Sequence, residues 1–160
     1  MPGREAGSTV PTSRIRWGRV MVAAIMSEVG VIGVLFAAIA AHTLATPSMS
    51  DAQYSSLGEE VGYYVAPAAG AVMTFLAALW ATRGLTSAFV THGTLVGIAG
   101  VLLTVGFIVG ARPDHRVMYV IAFALRLAGG YAGGVVAERL SKAKGVAPGT
   151  VGRSAHGSAR

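Results

Sequence analysis

Four long apolar runs, separated by polar segments, dominate the pattern of the chain. They fall in blocks rather than in the short stripes of amphipathic helices, and they cover residues 17–44, 61–82, 85–111 and 117–140. An α-helix needs about 20 predominantly apolar residues to cross the hydrocarbon core of a bilayer. The pattern therefore predicts an all-α fold, an integral membrane bundle of four transmembrane helices.

The connections between these runs predict how the helices follow one another. A polar connection covers residues 45–60, Arg83 and Gly84 make a very short turn, and Pro113 breaks the chain before the fourth run. Short connections force consecutive helices to be antiparallel neighbours. We therefore expect one membrane domain over residues 14–140, flanked by tails at residues 1–13 and 141–160. The Gly-, Ala- and Ser-rich composition of the C-terminal tail predicts disorder.

The amino-acid composition favours a membrane protein over a soluble one. Of 160 residues, 53% are hydrophobic and 12% are charged, which leaves little sequence for a soluble core. The chain has no cysteine, which excludes disulfides and thiol chemistry. The net charge of +6 does not predict nucleic-acid binding, because the basic residues lie beside the spans, where anionic lipid headgroups are the expected partner.

The distribution of Lys and Arg predicts the orientation in the membrane. Ten of the 13 basic residues fall on the side of the two termini: Arg4, Arg14, Arg16, Arg19, Arg83, Arg139, Lys142, Lys144, Arg153 and Arg160. Only Arg112 and Arg116 fall on the other side. By the positive-inside rule both termini are predicted to be cytoplasmic, in a plasma or inner membrane.

Two charged residues lie near the middle of the predicted spans, far from their ends. Glu28 is in the first span and Arg126 is in the fourth. At a rise of about 1.5 Å per residue, each lies roughly 15 Å from one end of its span, near the midplane of the bilayer. Charged groups at this depth are costly and usually paired. We therefore expect a buried polar layer at the depth of Glu28 and Arg126.

Other polar residues are predicted to join this layer: Ser27, Thr74 and His92. In one interpretation Glu28 and Arg126 form an ion pair that fixes the helix register. In a second, Glu28 exchanges a proton and couples proton movement to a solute. In a third, Arg126 binds the anionic group of a ligand or lipid, because its planar fork suits carboxylates and phosphates.

Glycine pairs at four-residue spacing predict where helices approach closely, because small residues permit contact between helix backbones in lipid. Span three contains two such pairs, Gly93 with Gly97 and Gly106 with Gly110, and span four contains two overlapping pairs: Gly129 with Gly133 and Gly130 with Gly134. Helical spacing puts Arg126 on the same face as Gly130 and Gly133. This face is expected to contact protein rather than lipid.

The segment 24–30 (Ala-Ile-Met-Ser-Glu-Val-Gly) resembles the first helix of small multidrug resistance transporters. Those proteins also have four spans, and their membrane glutamate binds protons and cations alternately. The resemblance covers seven residues and implies such a role for Glu28. The chain departs from that family in its long second connection, its tails, and Arg126, which would oppose a cationic substrate.

No nucleophile–base pair, metal motif or cofactor motif is present, so the sequence predicts neither an enzyme nor a cofactor. His42 and His92 differ in predicted depth by roughly 15–20 Å at the helical rise, too far to clamp one haem. We expect a small multi-pass membrane protein acting structurally or as a subunit, with a second copy or another membrane protein as partner. The alternative is a small proton-coupled transporter that uses Glu28.

Overall fold

The computed structural model describes residues 15–46, 48–106 and 115–145. These residues form four helices and, within those ranges, no strand. The helices are α1 (Trp17–Ala45), α2 (Asp51–Ala81), α3 (Phe89–Thr104) and α4 (Arg116–Gly145). The predicted all-α fold is confirmed, and the four helices are arranged as a bundle.

Three of the helices, α1, α2 and α4, are long and apolar enough to cross a membrane. The third, α3, is apolar but has 16 residues, which corresponds to about 24 Å at 1.5 Å per residue. That length falls short of a hydrocarbon core of about 30 Å. Residues 107–111, the end of the predicted third span, lie outside the described residues. A full crossing by the third span therefore stays a prediction.

Two helices extend beyond the predicted spans into segments that were expected to be irregular. The helix α2 begins at Asp51, inside the predicted polar connection, because the Gln53 side chain accepts hydrogen bonds from the Ser50 N–H (2.8 Å) and hydroxyl (3.2 Å). At the other end of the chain, α4 continues to Gly145, so the first five residues of the predicted C-terminal tail are helical. Residues 1–13 and 146–160 lie outside the described residues.

The connection between α2 and α3 is longer than the predicted two-residue turn. It covers residues 82–88, and α3 begins at Phe89 rather than at residue 85. The Thr82 hydroxyl donates to the Ala78 carbonyl (2.8 Å) at the end of α2, and Ala88 adopts a left-handed conformation (φ 58°) before α3 begins. This later start moves every residue of α3 about one turn closer to the end of the bundle than the sequence predicted.

The helices pack with α2 and α3 in the centre. Both α1 and α4 pack against each of these two helices, and α2 and α3 also contact each other. In contrast, α1 and α4 make little direct backbone contact. The two helices that carry Glu28 and Arg126 therefore lie at opposite corners of the bundle.

The two overlapping glycine pairs of α4 contact two different helices. A Cβ atom built on Gly130 would lie 2.5 Å from the Gly93 carbonyl oxygen of α3. A Cβ on Gly129 would lie 2.4 Å from the Ala71 carbonyl oxygen of α2. Real side chains do not approach a backbone so closely, so only glycine fits at these positions. The predicted contacts of the α4 glycines are present, and they join α4 to both central helices. The close approach predicted at Gly106 is not seen, since a Cβ there would have no atom of the described residues within 4 Å, and Gly110 lies outside the described residues.

The bundle has a closed half and an open half. The closed half contains the start of α1, the end of α2, the start of α3 and the end of α4. Its core is formed by five side chains without solvent exposure: Val20, Ala23, Ala78, Ala81 and Val96. The open half contains the remainder of the described helices, where the residues of α1 beyond Val31 and of α2 before Pro67 are mostly half-buried or exposed.

Candidate functional site: a glutamate–arginine pair across the bundle

Glu28 and Arg126 form a bidentate ion pair. The Arg126 Nη2 atom donates to Glu28 Oε2 at 3.0 Å, and Nη1 donates to the other carboxylate oxygen. The planar guanidinium matches the geometry of a carboxylate, and such paired charged hydrogen bonds are among the strongest in proteins. The pair neutralises both charges at the depth where the sequence predicted them to meet.

The pair bridges the two helices that do not pack against each other. Arg126 lies on the buried face of α4, and its side chain is 7% exposed. Glu28 lies at the edge of the buried face of α1, and its side chain is 19% exposed. Since α1 and α4 lie at opposite corners, the two side chains meet across the centre of the bundle.

Two glycines of the central helices make room for this contact. A Cβ atom on Gly70 of α2 would lie 2.9 Å from Arg126 Nε. A Cβ atom on Gly100 of α3 would lie 3.5 Å from Glu28 Oε1 and 3.6 Å from Arg126 Nη1. All four helices therefore contribute to the site, two with charges and two with glycines.

Sequence reasoning missed these two glycines. Gly100 extends the series Gly93 and Gly97 by three residues, so it lies on the same face of α3 as the predicted close contacts. That spacing could have identified it. Gly70 belongs to a series of small residues at four-residue spacing in α2, namely Gly58, Gly62, Ala66 and Gly70, which could have identified it as well. Only the three-dimensional arrangement shows that it lies beside Arg126.

Ser27 and Thr74 form a second polar contact next to the pair. Their hydroxyl oxygens are 3.1 Å apart, and both residues are buried, at 2% and 0% exposure. Thr74 lies one helical turn from Gly70, toward the closed half. This hydrogen bond joins α1 to α2, so both residues lie where the sequence predicted a polar layer.

His92, in contrast, is not part of this layer. Its Nδ1 atom lies 2.9 Å from the Ala88 carbonyl oxygen, and its Nε2 atom accepts from the Arg16 backbone N–H at 3.1 Å. It is eight residues before Gly100, about 12 Å along the helix axis. Because α3 begins at Phe89, later than predicted, His92 lies in its first turn. His92 ties the start of α1 to the start of α3.

The pair lines a cavity in the open half, which we call the pair cavity. Its volume is about 530 Å³, and most of its lining is apolar. An adjoining cavity of about 370 Å³, the outer cavity, lies farther from the closed half and has Glu59, Tyr63 and His115 in its wall. The two cavities share four lining residues: Leu35, Ala66, Tyr119 and Ala122. Glu28 and Arg126 are thus accessible from the open half.

Neither a metal-binding cluster nor similarity to a known protein indicates a more specific function. Within the described ranges, no group of three or more His, Asp or Glu residues is arranged to hold a metal ion. No protein-family model, curated protein sequence or solved structure matches the chain significantly. The resemblance of residues 24–30 to small multidrug resistance transporters therefore gains no support from the rest of the chain.

Proposed function

We propose that this chain is a small multi-pass membrane protein with a structural or subunit role, in which the Glu28–Arg126 pair specifies how the helices assemble. The bidentate contact across the bundle is the observation that carries this proposal. A glutamate or an arginine alone is costly in hydrocarbon, whereas the two together are neutral and hydrogen-bonded. A misaligned bundle would leave both charges unpaired.

The glycines support the same role. With Gly70 and Gly100 beside the pair, the side chains of Glu28 and Arg126 can meet between helices that do not otherwise pack against each other. A shift of α4 by one residue would rotate Arg126 by about 100° away from this position. The pair therefore favours a single register of α4 relative to the other three helices.

A double-mutant cycle tests this function. Glu28→Gln and Arg126→Gln should each lower the free energy of unfolding of the detergent-solubilised protein by about 3 kcal/mol, because each leaves a buried charge without its partner. The double variant should recover much of this loss. Glu138→Gln is the matched control, since Glu138 pairs with Lys142 at the surface and should contribute less than about 1 kcal/mol. Additive losses in the double variant would reject the structural role of the pair.

The proposed orientation is both termini in the cytoplasm, in a plasma or inner membrane, with anionic lipid headgroups near the basic ends of the helices. Arg83, Lys142 and Lys144 support this proposal, since all three are exposed at the same end of the bundle. A fluorescent protein that folds only in the cytoplasm should be fluorescent when fused to the C-terminus. A phosphatase that is active only outside the cytoplasm should be inactive at the same position. The reverse result would invert the proposed orientation.

A second candidate function is proton-coupled transport through Glu28. The observation that favours it is the partial exposure of the Glu28 side chain to the pair cavity. Arg126 opposes it, because both oxygens of the Glu28 carboxylate already accept hydrogen bonds from its guanidinium. Purified protein in liposomes should then move protons under a pH gradient, and Glu28→Gln should abolish this flux. If the wild-type protein moves no protons, uncoupled proton movement is excluded. If added solutes do not change the proton flux, coupling to those solutes is excluded.

A further inference from the structure

The pair cavity has the properties of a binding site for a small organic molecule. Its volume of about 530 Å³ falls within the usual range of ligand pockets. Such pockets are mostly apolar, with a few polar groups that orient the ligand. Here the apolar wall comes from all four helices, with Ala66 as the contribution of α2, and the charged groups of its lining are Glu28 and Arg126.

The cavity opens toward the lipid along one edge of α1. Ile25, Val29 and Ile32 line the cavity, yet they are 49%, 57% and 53% exposed. Side chains that are half exposed on a membrane-spanning helix face the bilayer. A molecule dissolved in the bilayer could therefore enter beside α1 without passing through water, which favours a ligand with an apolar body.

The ion pair determines which polar group such a ligand would carry. The two bonds to Glu28 use two of the five N–H groups of the Arg126 guanidinium, and the carboxylate oxygens have further lone pairs. A hydroxyl group can accept from the guanidinium and donate to the carboxylate. A carboxylate on the ligand would lie beside Glu28, and an ammonium group would lie beside Arg126, so a charged group would be repelled by one member of the pair.

We propose that the pair cavity binds a lipid-soluble molecule with an apolar body and an uncharged hydroxyl end that hydrogen-bonds to Glu28 and Arg126. This inference goes beyond the structural role of the pair, because the ligand would bind to guanidinium N–H groups and carboxylate lone pairs that the Glu28–Arg126 contact does not use. The bound molecule would fill the space that separates α1 from α4 in the open half.

Photolabelling in nanodiscs of phosphatidylcholine tests the proposal. The probe is a ten-carbon alcohol with a diazirine in its chain, and labelled peptides are identified by mass spectrometry. Labels should concentrate on the cavity-lining segments 25–35 and 119–126. Labelling spread evenly over the lipid-facing residues of all helices would contradict a specific site.

Competition by unlabelled ten-carbon compounds tests the hydroxyl end. At equal concentration in the bilayer, decanol should compete about tenfold better than decane, which corresponds to one or two hydrogen bonds. Decanoate and decylammonium should compete less well than decanol. Equal competition by decane would show an apolar groove filled by any chain, and stronger competition by either charged compound would overturn the proposed chemistry.

A pair of variants tests the location of the site. Ala122 lines both cavities, so Ala122→Phe should fill the space and cause loss of labelling at segment 25–35. Ala124 is exposed on the same helix, and Ala124→Phe should leave labelling unchanged. Equal labelling of the two variants would overturn the assignment to this cavity. The competition series uses the wild-type protein and so does not depend on how either variant folds.

Discussion

The closed and open halves of the bundle are built from the same four helices but differ in how closely those helices approach. In the closed half, Gly93 of α3 and Gly130 of α4 bring two backbones into contact, and the neighbouring core has no solvent exposure. In the open half, the helices enclose cavities of about 530 and 370 Å³. Glycine contacts between helix backbones close one half, whereas in the other half small residues such as Gly62, Ala66 and Ala122 line a cavity.

The Glu28–Arg126 pair lies between these two regions. On one side it adjoins the buried Ser27–Thr74 hydrogen bond, and on the other it lines the pair cavity. Its two long side chains span the distance between α1 and α4, which α2 and α3 separate. Apolar burial alone does not draw helices together in lipid, so the close approach in the closed half depends on backbone contact at the glycines.

The largest effect is expected from adding one methyl group in the closed half. A Cβ atom at Gly93 would lie 2.4 Å from the Gly130 carbonyl oxygen and 2.8 Å from the Gly134 backbone nitrogen. Gly93→Ala should therefore separate α3 from α4 and lower the free energy of unfolding by about 3 kcal/mol, measured by denaturation in mixed micelles. Gly33→Ala is the control, because a Cβ at Gly33 would have no atom within 4 Å. Equal stability of the two variants would refute the close packing of the closed half.

An intermediate effect is expected at the boundary of the two halves. Thr74→Val preserves the side-chain shape but removes the hydrogen bond to Ser27. The free energy of unfolding should fall by about 1 kcal/mol, the usual contribution of one buried hydrogen bond. Thr94→Val serves as the control, since the Thr94 hydroxyl bonds only to the Val90 carbonyl of its own helix. An equal loss of stability in Thr94→Val would show that the hydrogen bond between α1 and α2 contributes no more than a hydroxyl bonded within its own helix.

The smallest effect is expected from adding volume in the open half. Ala122→Leu places a larger apolar side chain in the wall of both cavities, where space exists. We expect the free energy of unfolding to change by less than about 1 kcal/mol, in either direction. The same denaturation assay measures it. A loss comparable to that of Gly93→Ala would indicate that the open half is packed as tightly as the closed half.

The sequence predicted the features that depend on local pattern. Apolar runs identified the helices, and four-residue glycine spacing identified the contact face of α4. Counting residues at the helical rise put Glu28 and Arg126 at one depth, because a helix in a membrane has a fixed relation between position and depth. These inferences needed no knowledge of which helices are neighbours.

The features that depend on helix ends and on neighbours were not predictable in this way. His92 was assigned to the polar layer because the start of α3 was predicted four residues too early. The Ser50–Gln53 contact at the start of α2 was not predicted, because both residues lie in a segment that was interpreted as a polar connection. The four-residue spacing of Gly62, Ala66 and Gly70 indicates a helix contact, but the position of Gly70 beside Arg126 follows only from how the helices pack.

Measuring the distance between the Arg126 guanidinium and the Glu28 carboxylate in the membrane tests directly whether the two residues form an ion pair. Solid-state NMR on protein with ¹⁵N-labelled arginine and ¹³C-labelled glutamate, reconstituted in lipid, measures the dipolar coupling between these groups. We predict a measurable ¹⁵N–¹³C coupling between the Arg126 guanidinium and the Glu28 carboxyl carbon, because the guanidinium donates to both carboxylate oxygens, and its loss in the Glu28→Gln variant. A coupling that is absent in the wild-type protein, or that persists in the variant, would contradict the pair.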